Sequence, residues 1–507
     1  MLYTIILLLA GFSVISLLLY LLLPGKYKYI ALLSTSMLFF FYYSRAGLIY
    51  LLITIVTTYL AGRIIEHITI NTSVKGLEKD QRKAVKAKAK HKKKIIVVIY
   101  MIVNLGILFL LKYAGMFGST EALPSFFKIA LPFGISYYTL QSMGYVIDIY
   151  RGKYHCEKNI LKIGLFICFF PQLHEGPFGR YDEIIVSLCT TKQIKFNNLL
   201  HGSARILWGI FKLFMIANRA SIISDAVFNS PGTYGGSTIL LGGIAFTIQL
   251  YAEFSGYIDI AIGISSFWDI KLVENFNLPF LAQSVADFWR RWHISLGRWF
   301  RDYVFYPLST SKWLNNLTGR LPEKAGDFIN ISTSLFFVWF LTGLWHGASW
   351  KYVCYGLYYF VLMIIYNLTV PLFQYMWKKA GISYTSIIPS AIRIVITQFF
   401  VLIGMIMFRA ENLKLFTEMM VALFHSGKSL DLFVIMDYKD WIVLMLSLLL
   451  MLLTAFLKAI NFNLNEKLCN LNICTKYILC FVSACIIIIF GAYGLGYTPP
   501  DPIYGGF

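Results

Sequence analysis

Charge is scarce in this sequence. Of its 507 residues, 14% are Asp, Glu, Lys or Arg, against about 25% in ordinary soluble chains. Acids are the scarcer sign, 25 against 45 Lys and Arg, leaving a formal charge of +20. With 58% hydrophobic and 17% aromatic residues, that shortage excludes a soluble globular enzyme. The eight cysteines include no C-x-x-C, and Cys469 and Cys474 have no histidine close in sequence. No metal site is therefore expected, and the cysteines read as small apolar packers without a structural disulfide. No Ser-His-Asp motif, glycine-rich phosphate loop or H-E-x-x-H is recognisable, which speaks against a familiar hydrolase, an ATPase and a zincin. The first apolar run, from residue 2, has no basic stretch before it and no A-x-A-like site after it. It reads as an uncleaved span rather than a signal peptide. Neither a short repeat nor an inverted transporter-like repeat is apparent.

Long apolar runs take the place of charge, at residues 2–23, 30–43, 95–111, 239–251, 329–345, 352–366, 392–407, 441–456 and 477–492. About 20 mostly apolar residues cross a bilayer as a helix. Several of these runs are shorter and hold Gly or polar residues, so partial or re-entrant helices buried in protein are expected beside simple spans. The expectation is an all-α polytopic membrane protein with roughly ten to twelve transmembrane helices, a single membrane domain over residues 1–507 with no soluble domain.

The basic residues cluster. Between Lys75 and Lys94 stand ten Lys or Arg against Glu78 and Asp80. The positive-inside rule places such a segment (71–94) in the cytoplasm. It has no aromatics for stacking bases, so anionic lipid headgroups are expected as its partners rather than nucleic acid. With this segment inside, Lys26 and Lys28 and the stretch 151–159 also fall inside, and the N-terminus falls outside.

Ionisable residues within apolar sequence carry the functional signal, because hydrocarbon makes them costly. "FFPQLHEGPFGRYDEI" (169–184) interrupts an apolar helix and holds His174, Glu175 and Arg180. In "FTIQLYAEFSGYIDIAIGISSFWDI" (246–270), Gln249 and Glu253 share a helical face with Gly256, Asp259 lies on another, and small residues would let helices approach closely. In "DFWRRWHISLGRWFRDYVFYPL" (287–308), helical spacing puts Trp289, His293, Leu296 and Phe300 on one face. Asp287–Arg291 and Arg298–Asp302 are opposite-charge pairs four apart in that stretch. In "FVWFLTGLWHGASWKYVCYGLYY" (337–359), His346 stands beside Trp345, and Gly343 and Gly347 are expected to clear space for an approach to its ring. A buried neutral imidazole suits general-base chemistry, taking the proton of a hydroxyl that attacks a thioester; a second polar group such as His293 could steady the oxyanion. A proton relay in a transporter remains open on these residues alone.

Together "FWRRWHISLGRWFRDYVFYPL" and "LWHGASW" resemble the bacterial membrane-bound O-acyltransferase (MBOAT) family. The most similar branch acetylates alginate and cell-wall polysaccharides, and "GISYYTLQSMGYVIDIYRGKY" (134–154) and "FFPQLHEGPFGRY" (169–181) match it too. The motif-bearing core is thus 134–350. The resemblance implies a ring of tilted helices with shorter re-entrant ones around a central tunnel. It places the family's invariant histidine on His346 and its second motif histidine on His293. Glu253, Gln249, Trp289, Arg290, Arg291, Arg301, Asp302, Glu175 and Trp345 then become candidates for the tunnel, with the charges facing inward. The implied donor is a cytoplasmic acyl thioester, acetyl-CoA or a phosphopantetheinyl carrier protein. The implied acceptor is an extracellular polysaccharide, reached through a secreted or membrane-anchored partner transferase.

Three departures from the family's pattern stand out. His174 and Glu175 replace small apolar residues, Ser309–Thr310 replaces a double glycine, and the tail (498–507) ends "PIYGGF", with Pro502 at the first aromatic position of an F-x-Y-x-x-F-like motif. A phenol, with pKa about 10, makes a more reactive ester than an alkyl alcohol. Tyr504 is therefore a candidate acyl relay. D-alanyl transfer to teichoic acid is the enzymatic alternative, and a proton-coupled transporter the alternative from another class.

Overall fold

A lipid-exposed backbone must satisfy its own N–H and C=O groups, which leaves a chain of this composition the helix. The computed structural model describes residues 2–73, 75–117, 131–173, 175–190, 192–230, 233–425, 427–429, 431–462, 467–468, 470–493 and 497. Among the described residues the regular structure is helical, with no strand beyond isolated bridges. Among the described residues, ten helices are long and apolar enough to cross a membrane. Eight carry apolar runs named above, and Leu48–Ile70 fills the gap between two of them. The tenth, Phe196–Phe228, holds Arg205, Lys212 and Arg219, and these charges break up its apolar run in the sequence. The run at 30–43 forms a 16-residue helix, Lys28–Tyr43, shorter than the ten.

The chain divides into two compact units, one of residues 3–198 and 264–273, the other of 199–263 and 274–506. In the first, Leu48–Ile70 packs against Lys79–Leu108 and Ile135–Arg151. A polar ladder joins them: Tyr100 lies 3.1 Å from Thr58 Oγ1 and donates to Ser142 Oγ at 2.9 Å, and Asn104 donates to Thr57 at 3.1 Å. The basic segment is the exposed start of Lys79–Leu108, opened by a capping box of Glu78 and Gln81.

In the second unit Phe196–Phe228 and Gly236–Ser266 run antiparallel. A Cβ on Gly209 would meet Gly256 O at 2.5 Å, and one on Gly263 would meet Gly202 O at 2.7 Å. Glycines seven residues apart on each helix thus bring the backbones together at two levels. Between them Asp259 binds Lys212 at 2.6 Å and Arg205 at 2.7 Å, Lys212 donates to Ser255 at 2.8 Å, and Arg205 reaches Glu274 at 2.7 Å. Two cations and two carboxylates thus offset one another where single charges would be costly.

Candidate active site

The stretch 287–308 is not one helix. Val285–Arg291 ends at Trp292, Ile294–Phe300 begins anew, and a π-turn at Arg301–Phe305 leads into Tyr306–Ser309. His293, at the break, has φ 49° and ψ 49°, a left-handed conformation that is uncommon outside Gly and persists where its surroundings favour it. Here they do. Phe276 bridges Trp292, Asn277 N–H donates to Arg291 O at 2.9 Å, Ile294 N–H donates to Asn275 O at 3.1 Å, and Ser295 N–H donates to Asn275 Oδ1 at 2.9 Å. The fully buried Asn275 thus caps the second short helix and fixes His293. The face expected of Trp289, His293, Leu296 and Phe300 on one continuous helix is replaced by this turn.

His346 closes the helix Glu323–His346. Its ring meets Trp345 at 4.9 Å, Phe408 at 5.3 Å and Tyr355 at 5.8 Å, all near-perpendicular. His293 meets Trp345 at 5.5 Å and Phe254 at 4.7 Å. The structure therefore brings both predicted histidines against the indole of Trp345, each only 2% exposed. Both imidazoles are thus enclosed by aromatic side chains. Trp289 stands one ring away, packed on Tyr359 at 4.9 Å, Trp339 at 5.0 Å and Tyr355 at 6.3 Å.

The expectation for the glycines is corrected. Gly343 and Gly347 do not clear space beside His346, because a Cβ on Gly343 would strike the Tyr352 carbonyl and one on Gly347 the Tyr352 ring. The glycines admit the helix Trp350–Lys379 instead. The Arg290 and Arg301 side chains are 72% and 52% exposed. Arg291, half-buried, pairs with Asp287 at 3.1 Å as the spacing predicts, and Arg290 reaches the same carboxylate at 3.4 Å. Burial disfavours the charged form of Asp287, but hydrogen bonds from Arg291 and the Gln283 N–H outweigh it and hold its pKa below the usual carboxylate value. Asp302 accepts from Arg301 at 2.9 Å.

Gln249 and Glu253 are buried on Gly236–Ser266, and Gly256, on their face, packs on Gly209. Phe254, the next residue after Glu253, is the one that meets His293. Glu175 belongs to the other unit, buried with φ 53° and within electrostatic reach of Tyr137. Tyr504 and His174 lie outside the described residues. Asn275, Phe254 and Phe408 were missed in the sequence. Only an Asn before the short "NLPF" turn hinted at the first, and nothing marked the two phenylalanines.

Comparison with known proteins gives this geometry a context. The profile of the membrane-bound O-acyltransferase family matches residues 97–409, which hold both histidines and their aromatic neighbours. The probable alginate O-acetylase AlgI of Pseudomonas aeruginosa is 32% identical over 346 residues, covering 65% of this chain and 60% of that protein. The peptidoglycan O-acetyltransferase of Helicobacter pylori is 27% identical over 353 residues, 64% of this chain and 63% of its own. The teichoic acid D-alanyltransferase of Bacillus subtilis is 34% identical over 242 residues, 46% of this chain and 58% of its own. The match spans less than two thirds of each relative's length.

Proposed function

The chain belongs to the membrane-bound O-acyltransferase family of multi-pass membrane proteins, and on that footing we propose that it carries acetyl groups from a thioester to polysaccharide hydroxyls. The observation that carries the reading is the pair of buried imidazoles that both pack on Trp345. His346 acts as general base. Its neutral nitrogen takes the proton of the attacking hydroxyl as the oxygen closes on the thioester carbonyl, the C–S bond breaks, and the thiolate recovers the proton from imidazolium. His293 donates to the oxyanion from a backbone position that Asn275 holds fixed. The donor is acetyl-CoA or an acetylated phosphopantetheinyl carrier on the cytoplasmic side, and the acceptor is an extracellular polysaccharide served by a partner transferase. Tyr504 is the relay: its phenol is the hydroxyl that attacks the thioester, and in a second transfer a polysaccharide hydroxyl attacks the aryl ester, whose C–O bond breaks to return the phenol as its oxygen takes the proton that hydroxyl gives up.

Acetyl is favoured over D-alanyl because the two acetylating relatives align over about two thirds of this chain and the D-alanyltransferase over less than half. The test is polymer-bound acetate in cells carrying His346→Ala at wild-type protein level. Loss of the base should lower it on the order of 10²–10⁴-fold. Normal acetate would remove His346 from the chemistry, and polymer-bound D-alanine in place of acetate would name the other acyl group.

A further inference from the structure

Ile473–Phe490 has 6% of its residues buried, the smallest share among the ten candidate spans. So little packing leaves the placement of its far end to specific bonds. They converge on one short stretch of another helix. In Phe196–Phe228 the segment Lys212–Ala217 is a π-turn, and Asn218 N–H bonds Leu213 O, five residues back. The carbonyl four back, Phe214 O, is thereby released from the helical ladder. It accepts instead from Ala492 N–H at 2.9 Å and from Arg219 Nη1 at 3.2 Å. Arg219 Nη2 donates to Phe490 O at 2.7 Å, and its Nε to Asp440 Oδ1 at 2.9 Å. Asn218 Nδ2 donates to Ala492 O at 2.8 Å, and Tyr497 Oη donates to Asn218 O at 2.6 Å. The Tyr493 ring lies on Phe214 at 5.3 Å.

We infer that the π-turn at Lys212–Ala217 is a latch for the chain's C-terminal segment, with Asn218 and Tyr497 as positioning residues for the acyl-relay tail. This rests on the proposed role of Tyr504. Tyr504 lies seven residues beyond Tyr497 and twelve beyond Ala492, whose backbone bond to Phe214 O survives loss of the Tyr497 bond, so that loss lengthens the greatest possible tether from about 25 Å to about 43 Å. Local concentration falls roughly as the −3/2 power of tether length, so transfer should drop about twofold from dilution alone. Misorientation of the phenol would add to that loss.

The test uses the full-length protein in its native membrane, with Asn218→Leu and Tyr497→Phe compared with wild type and with Tyr504→Phe. Carboxypeptidase trimming followed by mass spectrometry reads the tail, polymer acetate reads transfer, and the unfolding temperature reads the fold. Both variants keep Arg219, which holds the helix end, and should melt near wild type; Tyr497→Phe carries the test if Asn218→Leu does not fold. The expected result is faster trimming past residue 497 in Tyr497→Phe, with acetate lowered about twofold or more, and a smaller change in Asn218→Leu, which loses only the side-chain bond to Ala492 O. Unchanged trimming, or faster trimming with full acetate, overturns the latch. Lowered acetate in Asn218→Leu and Tyr497→Phe beside normal acetate in Tyr504→Phe leaves the latch standing and removes the relay, so the two failures are told apart.

Discussion

His293 sits in a backbone conformation that separates what its ring does from what its backbone needs. Asn adopts the left-handed region readily, and Ala does not. His293→Asn should therefore fold with the unfolding temperature of the wild type, whereas His293→Ala carries about 1–3 kcal/mol of backbone strain. Asn keeps an N–H donor on a shorter side chain. Acetylation in His293→Asn should be reduced but measurable, and in His293→Ala, corrected for protein level, lower by about 10²–10³-fold than wild type. Equal rates in the two variants would mean that the ring is packing and not an oxyanion donor. The two histidines were legible because an ionisable group amid apolar sequence is costly and needs a reason. Their surroundings were not. Gly343 and Gly347 look alike whether they make room for a substrate or for Tyr352. Asn275 acts through backbone atoms some 20 residues away, a distance no local pattern spans.

At the scale of elements, the pairing of Phe196–Phe228 with Gly236–Ser266 rests on opposed effects. Close glycine contacts draw the helices together, and the ions between them are tolerated only because each has partners. The Lys212 and Asp259 side chains are 5% and 9% exposed. Asp259→Ala strands Lys212 and should cost on the order of 3–5 kcal/mol. Lys212→Met with Asp259→Leu removes both members and leaves Arg205 with Glu274. The double variant should thus unfold in detergent at a higher temperature than Asp259→Ala; an equal or lower temperature would show that the cluster is not a mutually compensating set. The small residues of Gly236–Ser266 were readable as a packing surface. Its partner was hidden, since Arg205, Lys212 and Arg219 make a crossing helix look like an interrupted one. The break at Trp292–His293 was equally hidden, because neither Pro nor Gly marks it and tertiary pairing with 275–277 imposes it.

For the whole molecule, orientation turns on one long helix and one short one. Lys79–Met116 has 38 residues, about 57 Å of helix, against a hydrocarbon core of about 30 Å. Even tilted, much of it must stand in water, and the exposed basic end is the part that can. A helix of that length lets the first turns from Lys79 reach past the headgroup layer, as a cytoplasmic segment requires. Trypsin added to inverted membrane vesicles should therefore cut within 79–94 before any other site, and in sealed right-side-out vesicles that segment should survive. The N-terminus then depends on Lys28–Tyr43, whose 16 residues reach about 24 Å and cross only if neighbouring helices shield their ends. Seven of them are buried, including Phe39 and Phe40 at 0% exposure, the pattern of a helix held inside protein rather than one lying on a surface. If it crosses, an N-terminal epitope is reached from outside while the basic segment is cut from inside. Both signals on the same face would mean that Lys28–Tyr43 turns back within the membrane, and the positive-inside reading of Lys26 and Lys28 would fall with it.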